Sequence, residues 1–420
     1  MYLKIVLLKA RALGALSRAL GKGSGVMVAG RFILTFAPNA VEKLAKNKRV
    51  ILISGTNGKS TTAKLIAASL ARKYSIAHNQ TGANLFAGVA AALGAAPKAE
   101  IAVLEVDELV LPWALEKTRP ELIVLLNLGR DQLDRLSEVR IVSNKWRKAL
   151  EKNADQSHSI KVLASSDDPF VVYAASVAKK VIWFSAGERG HIDAATCPQC
   201  GSLINWSDDG RKFSCSCGFT KPNSDWELLD GNLISENQKV EVKSAIPGRA
   251  ALQNAARAMV VAKEFGIDFE ESAEAISEIK SVDGRFALIR IGETNFRLLL
   301  SKNPASWRET LETSSAANTS TGKVDANRSN NVLLVVNANT QDGKDTSWLW
   351  DVDFKVLNGR NVLVTGDRRI DVSARLTVDG IAHQVVADEV AASKIFGATN
   401  ADLIASYTAF HRISRDWRTK

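Results

Sequence analysis

Residues 50–70, VILISGTNGKSTTAKLIAASL, run from an apolar segment through a glycine turn into a helical pattern. Val50 to Ile53 predicts a short buried strand, and from Thr61 onward Ala, Leu and Ile recur at helical spacing. Gly55 and Gly58 permit the turn, so backbone N–H groups and the helix N-terminus can face an anion. In such a loop Lys59 reaches the terminal phosphates of a nucleotide, and Ser60 or Thr61 holds Mg²⁺ through a hydroxyl. The spacing departs from G-x-x-x-x-G-K-[ST], because Ile53 stands where the first glycine would be. The bland alternative is a glycine-rich strand–helix turn with an exposed lysine. The strand before the loop and the helix after it favour the phosphate reading.

At 420 residues the chain is too long for one ordinary core, and two or three domains are expected. Lys and Arg exceed Asp and Glu by 10, with a pI near 9.4, which favours anionic partners: a nucleotide, nucleic acid or a phospholipid surface. The first twenty residues, MYLKIVLLKARALGALSRAL, alternate basic and apolar positions at helical spacing. Lys4, Lys9, Arg11 and Arg18 interrupt the apolar core that a signal peptide needs. No stretch of 18 apolar residues occurs, so no membrane span is expected and a cytoplasmic location is. An amphipathic basic helix can touch the inner face of a membrane; packing on its own domain is the preferred reading.

From Val50 to about Ser185 strands and helices alternate. Ile101–Glu108, Glu121–Leu128, Lys161–Asp168 and Lys180–Ser185 read as buried parallel strands, and Leu133–Leu150 carries helical periodicity. The pattern is that of a doubly wound α/β domain. Residues 186–225 break it with Gly, Asp, Ser, Pro and all four cysteines and read as an inserted module, its ribbon at about 190–225. A helix at Ala250–Phe265 returns to the main domain. SVDGRF, Ser281–Phe286, reads as a linker, dividing the chain into domains 1–285 and 286–420. The second domain is α/β, with strands at Asn331–Asn337 and Asn361–Thr365 and a helix at Val372–Thr377. Residues 313–331 are polar and read as a disordered insertion.

Glu105, Asp107 and Glu108 lie at the carboxyl end of a strand, where open α/β sheets bind ligands. A carboxylate there can complete a Mg²⁺ shell begun by Ser60. Glu105 and Asp107 share one strand face and Glu108 begins the turn, so either Glu105 or Glu108 can be the ligand. Solubility alone also places acids at strand ends. NLGRDQLDR puts Asn127 at another strand end and Asp131, Asp134 and Arg135 at the start of a helix. Asp131 fits a helix N-cap as well as a site residue.

Cys197-Pro-Gln-Cys200-Gly is followed after fourteen residues by Cys215-Ser-Cys217-Gly. Two short-spaced pairs, each followed by glycine, suit a tetrahedral Cys₄ structural Zn²⁺ site. A disulfide is unexpected in a cytosolic chain. In the second domain Asp342, Asp345, Asp351 and Asp353 surround Trp348 and Trp350 just after a strand. A helix capped by Asp345 and packed through its tryptophans accounts for that density without a catalytic role.

GTNGKSTT, the acidic strand end, NL..DQLD and the GR of the linker together resemble the ATP-dependent Mur ligases. Within them, the inserted ribbon, KNP at Lys302–Pro304, DGKDTSWLWDVDF and YTA at Tyr407–Ala409 resemble the synthetase subunits of lipid II isoglutaminyl synthases. The resemblance implies a central P-loop domain with an inserted Cys₄ zinc ribbon and a C-terminal Rossmann-like α/β domain. It also implies an ATP- and Mg²⁺-dependent amidation of the D-glutamate α-carboxylate in the lipid II stem peptide, through an acyl phosphate. Gly55 to Thr61 are then the nucleotide loop, Asn254 and Arg285 match positions that contact nucleotide, and Lys302 and Asn303 are weaker candidates. Ala287 after the linker GR and Gly129 after Asn127-Leu128 depart from the family pattern.

A glutaminase of the triad type needs a cysteine nucleophile with a histidine. Every cysteine here is in the ribbon, so glutamine-derived ammonia requires another chain. The resemblance names it, a glutaminase subunit of the GatD type in a heterodimer, and gives an aspartate of the tryptophan motif to the partner's Cys–His pair. Asp345 is assigned that role, with Asp351 as the alternative. A Mur or folylpolyglutamate-type amino-acid ligase is the alternative reading. A zinc-ribbon nucleic-acid ATPase would need basic residues interleaved with aromatics; Asp208, Asp209 and Asp225 in or beside the ribbon argue against a nucleic-acid partner.

Overall fold

The computed structural model describes the chain apart from residues 22, 80–81, 130–138, 155–159, 192, 280–284, 316–329, 340–341 and 418–420. It divides into two compact units. The first holds residues 1–129, 137–243 and 253–278, and the second holds 244–252 and 279–420.

In the first unit, β1 (Arg49–Ser54), β2 (Ile76–His78), β3 (Ile101–Glu105), β4 (Leu122–Leu125), β5 (Lys161–Ser165) and β6 (Lys180–Ser185) are all parallel. Their order is β2-β3-β1-β4-β5-β6. β1, β3 and β4 are almost wholly buried, which explains their unbroken apolar runs: a parallel sheet is covered on both faces. The chain runs from β1 to one side of the sheet and later crosses to the other, so the carboxyl ends of β1, β3 and β4 meet where the order reverses.

Three short strands that the sequence pattern does not reveal extend this sheet: β9 (Trp226–Leu229), β10 (Asn232–Ile234) and β11 (Lys239–Glu241). β9 pairs with β6 in parallel, and β10 and β11 follow as an antiparallel meander. Between β6 and β9 sits the ribbon, with β7 (Asn205–Trp206) pairing antiparallel to β8 (Phe213–Ser214). Phe213 packs at 5.5 Å from both Trp206 and Phe219.

Helices Tyr2–Ala19 and Val26–Phe36 lie ahead of the sheet and pack against helix Phe86–Ala95. Gly30 is needed there, because a Cβ at that position would collide with the Ala87 carbonyl. Among the described residues no helix is long and apolar enough to cross a membrane.

The second unit is built on β12 (Phe286–Ile291), β13 (Thr294–Leu300), β14 (Asn331–Val335), β15 (Asn361–Thr365), β16 (His383–Val385) and β17 (Asn400–Ala405), in the order β12-β13-β17-β14-β15-β16. Only the β12–β13 hairpin is antiparallel. Trp307, Trp348 and Phe354 pack together in one of its cores. Of the stretch 313–331 expected to be disordered, residues 316–329 lie outside the described residues, but 313–315 form the end of helix Pro304–Ser315 and Asn331 begins β14.

Candidate active site

The loop after β1 closes onto helix Lys59–Leu70. Gly55 and Gly58 take φ values of 146° and 87°, and Gly58 caps the helix with no side-chain cap bond. The first-turn N–H groups and the positive end of the helix dipole therefore point into the loop, the arrangement that binds phosphate. A Cβ at Gly58 would stand 2.8 Å from Asn254 Oδ1, so a side chain there would have to displace the Asn254 amide in addition to straining φ. Asn254 is buried on helix Arg249–Glu264 and accepts a hydrogen bond from Thr62 Oγ1 at 3.1 Å.

Lys59 is buried. Its Nζ donates to the carbonyls of Gly55 and Thr56 and lies 3.2 Å from Glu108 Oε1. The Glu108 carbonyl in turn accepts from Trp146 Nε1 at 2.8 Å. β3 ends at Glu105, so Asp107 does not share a strand face with it. Asp107 Oδ1 accepts from Leu109 N–H and shapes the turn that presents Glu108. Glu105 is held through its backbone by Asn79, which exchanges two hydrogen bonds with it. Its Oε1 is 3.5 Å from Asn84 Nδ2, and its Oε2 is buried with no partner among the described residues. A buried carboxylate oxygen with no donor is costly, and a bound cation removes that cost, so the donor set fits Mg²⁺. Ser60 is half-buried at the start of the helix, close to Gly82.

The loop after β4 is stitched to the phosphate loop. Asn127 Oδ1 accepts from Asn57 N–H, its Nδ2 donates to the Asn57 carbonyl, and Thr56 Oγ1 bonds both backbone groups of Gly129. Asp131, Asp134 and Arg135 lie outside the described residues.

A second polar cluster, which the sequence reading passed over, sits at the carboxyl end of β5. Asp168 caps helix Pro169–Ala175, accepts from Leu128 N–H, and lies 3.3 Å from His191 Nε2. Burial opposes protonation of His191, but the Asp168 charge and hydrogen bond, with Asp193, prevail and raise its pKa. Asp167 accepts from Ser185 Oγ, Ala186 N–H and Lys221 Nζ. Arg257 sits over the Phe184 ring at 4.8 Å, and burial lowers its pKa against the pull of Glu188 and Asp167. The available signal was the acid pair SDD at a strand end and Gln253 and Arg257 four residues apart on one helix face.

The sulfurs of Cys197, Cys200, Cys215 and Cys217 lie within 4.8 Å of one another. Cys197–Cys217 and Cys200–Cys215 are separated by 3.8 and 3.5 Å. Tetrahedral zinc, about 2.3 Å from each sulfur, sets sulfurs about 3.8 Å apart. The cluster fits the metal, and the tighter Cys215-Ser-Cys217 spacing is accommodated.

In the second unit Asp345, just ahead of the short 3-10 helix Ser347–Asp351, and Asp351, its last residue, are both exposed. Asp345 Oδ1 accepts from Ser347 N–H, which holds its carboxyl below the ordinary range. The helix expected to be capped by Asp345 is thus a single 3-10 segment whose N-cap is Thr346. Asp342 is buried and structural: it accepts from Asn339 N–H and from both N–H and hydroxyl of Thr408. Arg285 occupies the turn before β12, and Lys302 N–H donates to Ser306 Oγ ahead of helix Pro304–Ser315. Asn303 Oδ1 accepts from Ser306 N–H at that same helix start.

A phosphate loop at the switch point of a parallel sheet, with two carboxylates on the adjoining strand end, defines a P-loop nucleotide-binding α/β protein. The family described as Mur ligase middle domain matches residues 53–262, half of the chain, and MurT ligase C-terminal matches residues 300–410. The chain belongs to the Mur ligase family. It is 28% identical over 397 residues to the MurT subunit of lipid II isoglutaminyl synthase (glutamine-hydrolyzing) of Staphylococcus aureus strain N315, covering 89% of this chain and 87% of that one. It is 27% identical to the subunit of the same name from Streptococcus pneumoniae strain R6, over 92% and 91% of the two chains. The fold matches a pseudomurein peptide ligase type C from Methanothermus fervidus with a TM-score of 0.65 at 19% identity, over 88% and 79% of the chains.

Proposed function

We propose that this chain is the ATP-dependent ligase subunit of a glutamine-hydrolysing amidotransferase that converts the D-glutamate α-carboxylate of lipid II to the amide. The observation that carries the reading is Lys59, held between the phosphate-loop carbonyls and Glu108 in the loop that follows β3. The similarity to MurT subunits over nearly the whole chain supports the acceptor and the partner.

In this reading the loop Gly55–Thr61 holds the phosphates of ATP, and Asn254 braces the loop. Arg285 and Lys302 are nucleotide contacts by family resemblance alone. Lys59 turns from Glu108 to the phosphate and offsets charge on the transferring group, which is mostly electrostatic work. Ser60 with Glu105 or Glu108 would hold Mg²⁺, which would supply further charge neutralisation. The acceptor carboxylate takes the γ-phosphoryl group, giving an acyl phosphate and ADP. Ammonia attacks the acyl carbon, phosphate leaves, and the nitrogen loses a proton.

The four thiols form one cluster, leaving no cysteine for glutamine hydrolysis. The ammonia therefore comes from a partner glutaminase of the GatD type, whose Cys–His pair Asp345, or Asp351, completes. The test is reconstitution of the chain with its glutaminase partner, ATP, Mg²⁺, lipid II and glutamine or ammonium, with mass detection of the amide. Turnover that requires an added amino acid in place of ammonia would overturn the reading in favour of an amino-acid ligase.

A further inference from the structure

Helix Tyr2–Ala19 uses one face for the core. Val6, Leu7, Ala10, Gly14 and Ser17 are buried there. An ordinary surface helix carries polar residues on the opposite face; this one does not. At 3.6 residues per turn Ile5, Leu8, Ala12, Ala15, Leu16 and Ala19 fall together opposite the buried face. All six are exposed, Leu8 at 69% and Leu16 at 55%. Tyr2, whose hydroxyl donates to the Phe36 carbonyl at 2.6 Å, links the stripe to the half-exposed Phe36 of the next helix.

The rims of the stripe are basic. Lys4 and Arg18 lie on one side and Lys9 on the other, all exposed. No acidic residue occurs before Glu42, whereas Lys4, Lys9, Arg11, Arg18, Lys22 and Arg31 all precede it.

We infer that this face binds the surface of an anionic lipid bilayer, with Ile5, Leu8 and Leu16 in the acyl boundary and the basic rims at the headgroups. An apolar stripe flanked by long basic side chains is the composition of an interfacial helix, because the chains bury their stems and keep their charges in the headgroup layer. Charge complementarity selects this occupant over a second copy. In a paired helix the flanking charges of the two copies set partner choice, and here both flanks bring only lysine and arginine, which repel. The inference stands on this helix and does not depend on the acceptor proposed above.

The test is sedimentation of the full chain with phosphatidylcholine vesicles, with and without about one-third phosphatidylglycerol. Binding is expected on the anionic vesicles and is weakened by salt. Ile5→Glu with Leu8→Glu is expected to lower it about tenfold. Lys4→Gln with Lys9→Gln is expected to lower it by about tenfold or more on anionic vesicles. The lysine pair decides the matter if the glutamate pair loses its cooperative melting transition. No binding of the unmodified chain to anionic vesicles, or binding by both variants equal to that of the unmodified chain, overturns the inference. So does a dimer on gel filtration that dissociates with Ile5→Glu and Leu8→Glu, which would assign the face to a second copy.

Discussion

Lys59 Nζ lies 3.2 Å from Glu108 Oε1, and both side chains are largely buried. Without a phosphate, the carboxylate and two carbonyls of the loop satisfy the ammonium. In the proposed phosphate site, nucleotide binding would exchange one anion for another around the same nitrogen. Lys59→Ala is expected to lower ATP-dependent amidation by about a hundredfold or more, because the lost charge acts on the transferring phosphoryl group. Steady-state assays with the partner glutaminase measure this; full activity would remove Lys59 from the phosphate site.

Glu105 and Glu108 differ in what already satisfies them, and this separates their roles. Glu108 is paired with Lys59, whereas Glu105 Oε2 is buried with no partner among the described residues. Glu105→Gln is expected to raise the Mg²⁺ concentration needed for half-maximal ATPase activity by about tenfold, since an amide is a weaker ligand for a hard cation. Glu108→Gln is expected to act mainly on nucleotide affinity by leaving Lys59 less well held. A Mg²⁺ titration that moves only with Glu108→Gln would reverse the assignment.

The sulfur cluster predicts about one zinc ion per purified chain by its ligand count. Cys197→Ser is expected to lose the metal and lower the melting temperature, because Cys197, Cys215, Phe213 and Phe219 share one core. Metal analysis with calorimetry measures both. A zinc-free chain that melts where the untreated protein does would assign the cysteines to metal-independent packing.

His191 predicts a pH dependence of stability. Its folded pKa is raised by Asp168 and Asp193 in spite of burial, and the unfolded value is about 6.5. A raised basic group contributes its full stabilisation below about pH 6.5 and loses it as pH climbs through the folded value. Stability is thus expected to fall on the alkaline side of that window, and His191→Gln is expected to flatten the fall. Urea denaturation from acid to mildly alkaline pH measures it; an unchanged slope in the variant would assign the fall to other groups.

The first sheet was legible because its central strands are buried on both faces, so Ile51, Leu52, Val103 and Ile123 stand in continuous apolar runs. β9 to β11 were not: they are three or four residues long, β9 and β11 alternate between exposed and partly buried positions, and β10 buries only Leu233. The phosphate loop declares itself in consecutive residues. Glu105 and Glu108 were visible as candidates, but their difference rests on Asn79, Asn84 and Lys59, which come from other elements. DGKD and YTA were separate motifs in the chain. Their joining through Asp342 and Thr408 spans 66 residues and leaves no mark in either local pattern.

Asp342 and Asp345 are three residues apart and have opposite environments, which decides which of them is free to act on a partner. Asp342 is consumed by Thr408 and Asn339, whereas Asp345 is exposed and kept ionised by Ser347 N–H. An ionised aspartate can orient an imidazole and stabilise its cation. Asp345→Asn is expected to lower glutamine-dependent amidation by about a hundredfold or more while leaving amidation with free ammonium near its original rate. Asp351→Asn serves as the parallel variant, since Asp351 is equally exposed at the far end of the 3-10 segment. Loss of the glutamine reaction in Asp351→Asn alone would move the role to that residue. Equal loss of both reactions in Asp345→Asn would place the damage in the ligase and reject a role in the partner's triad.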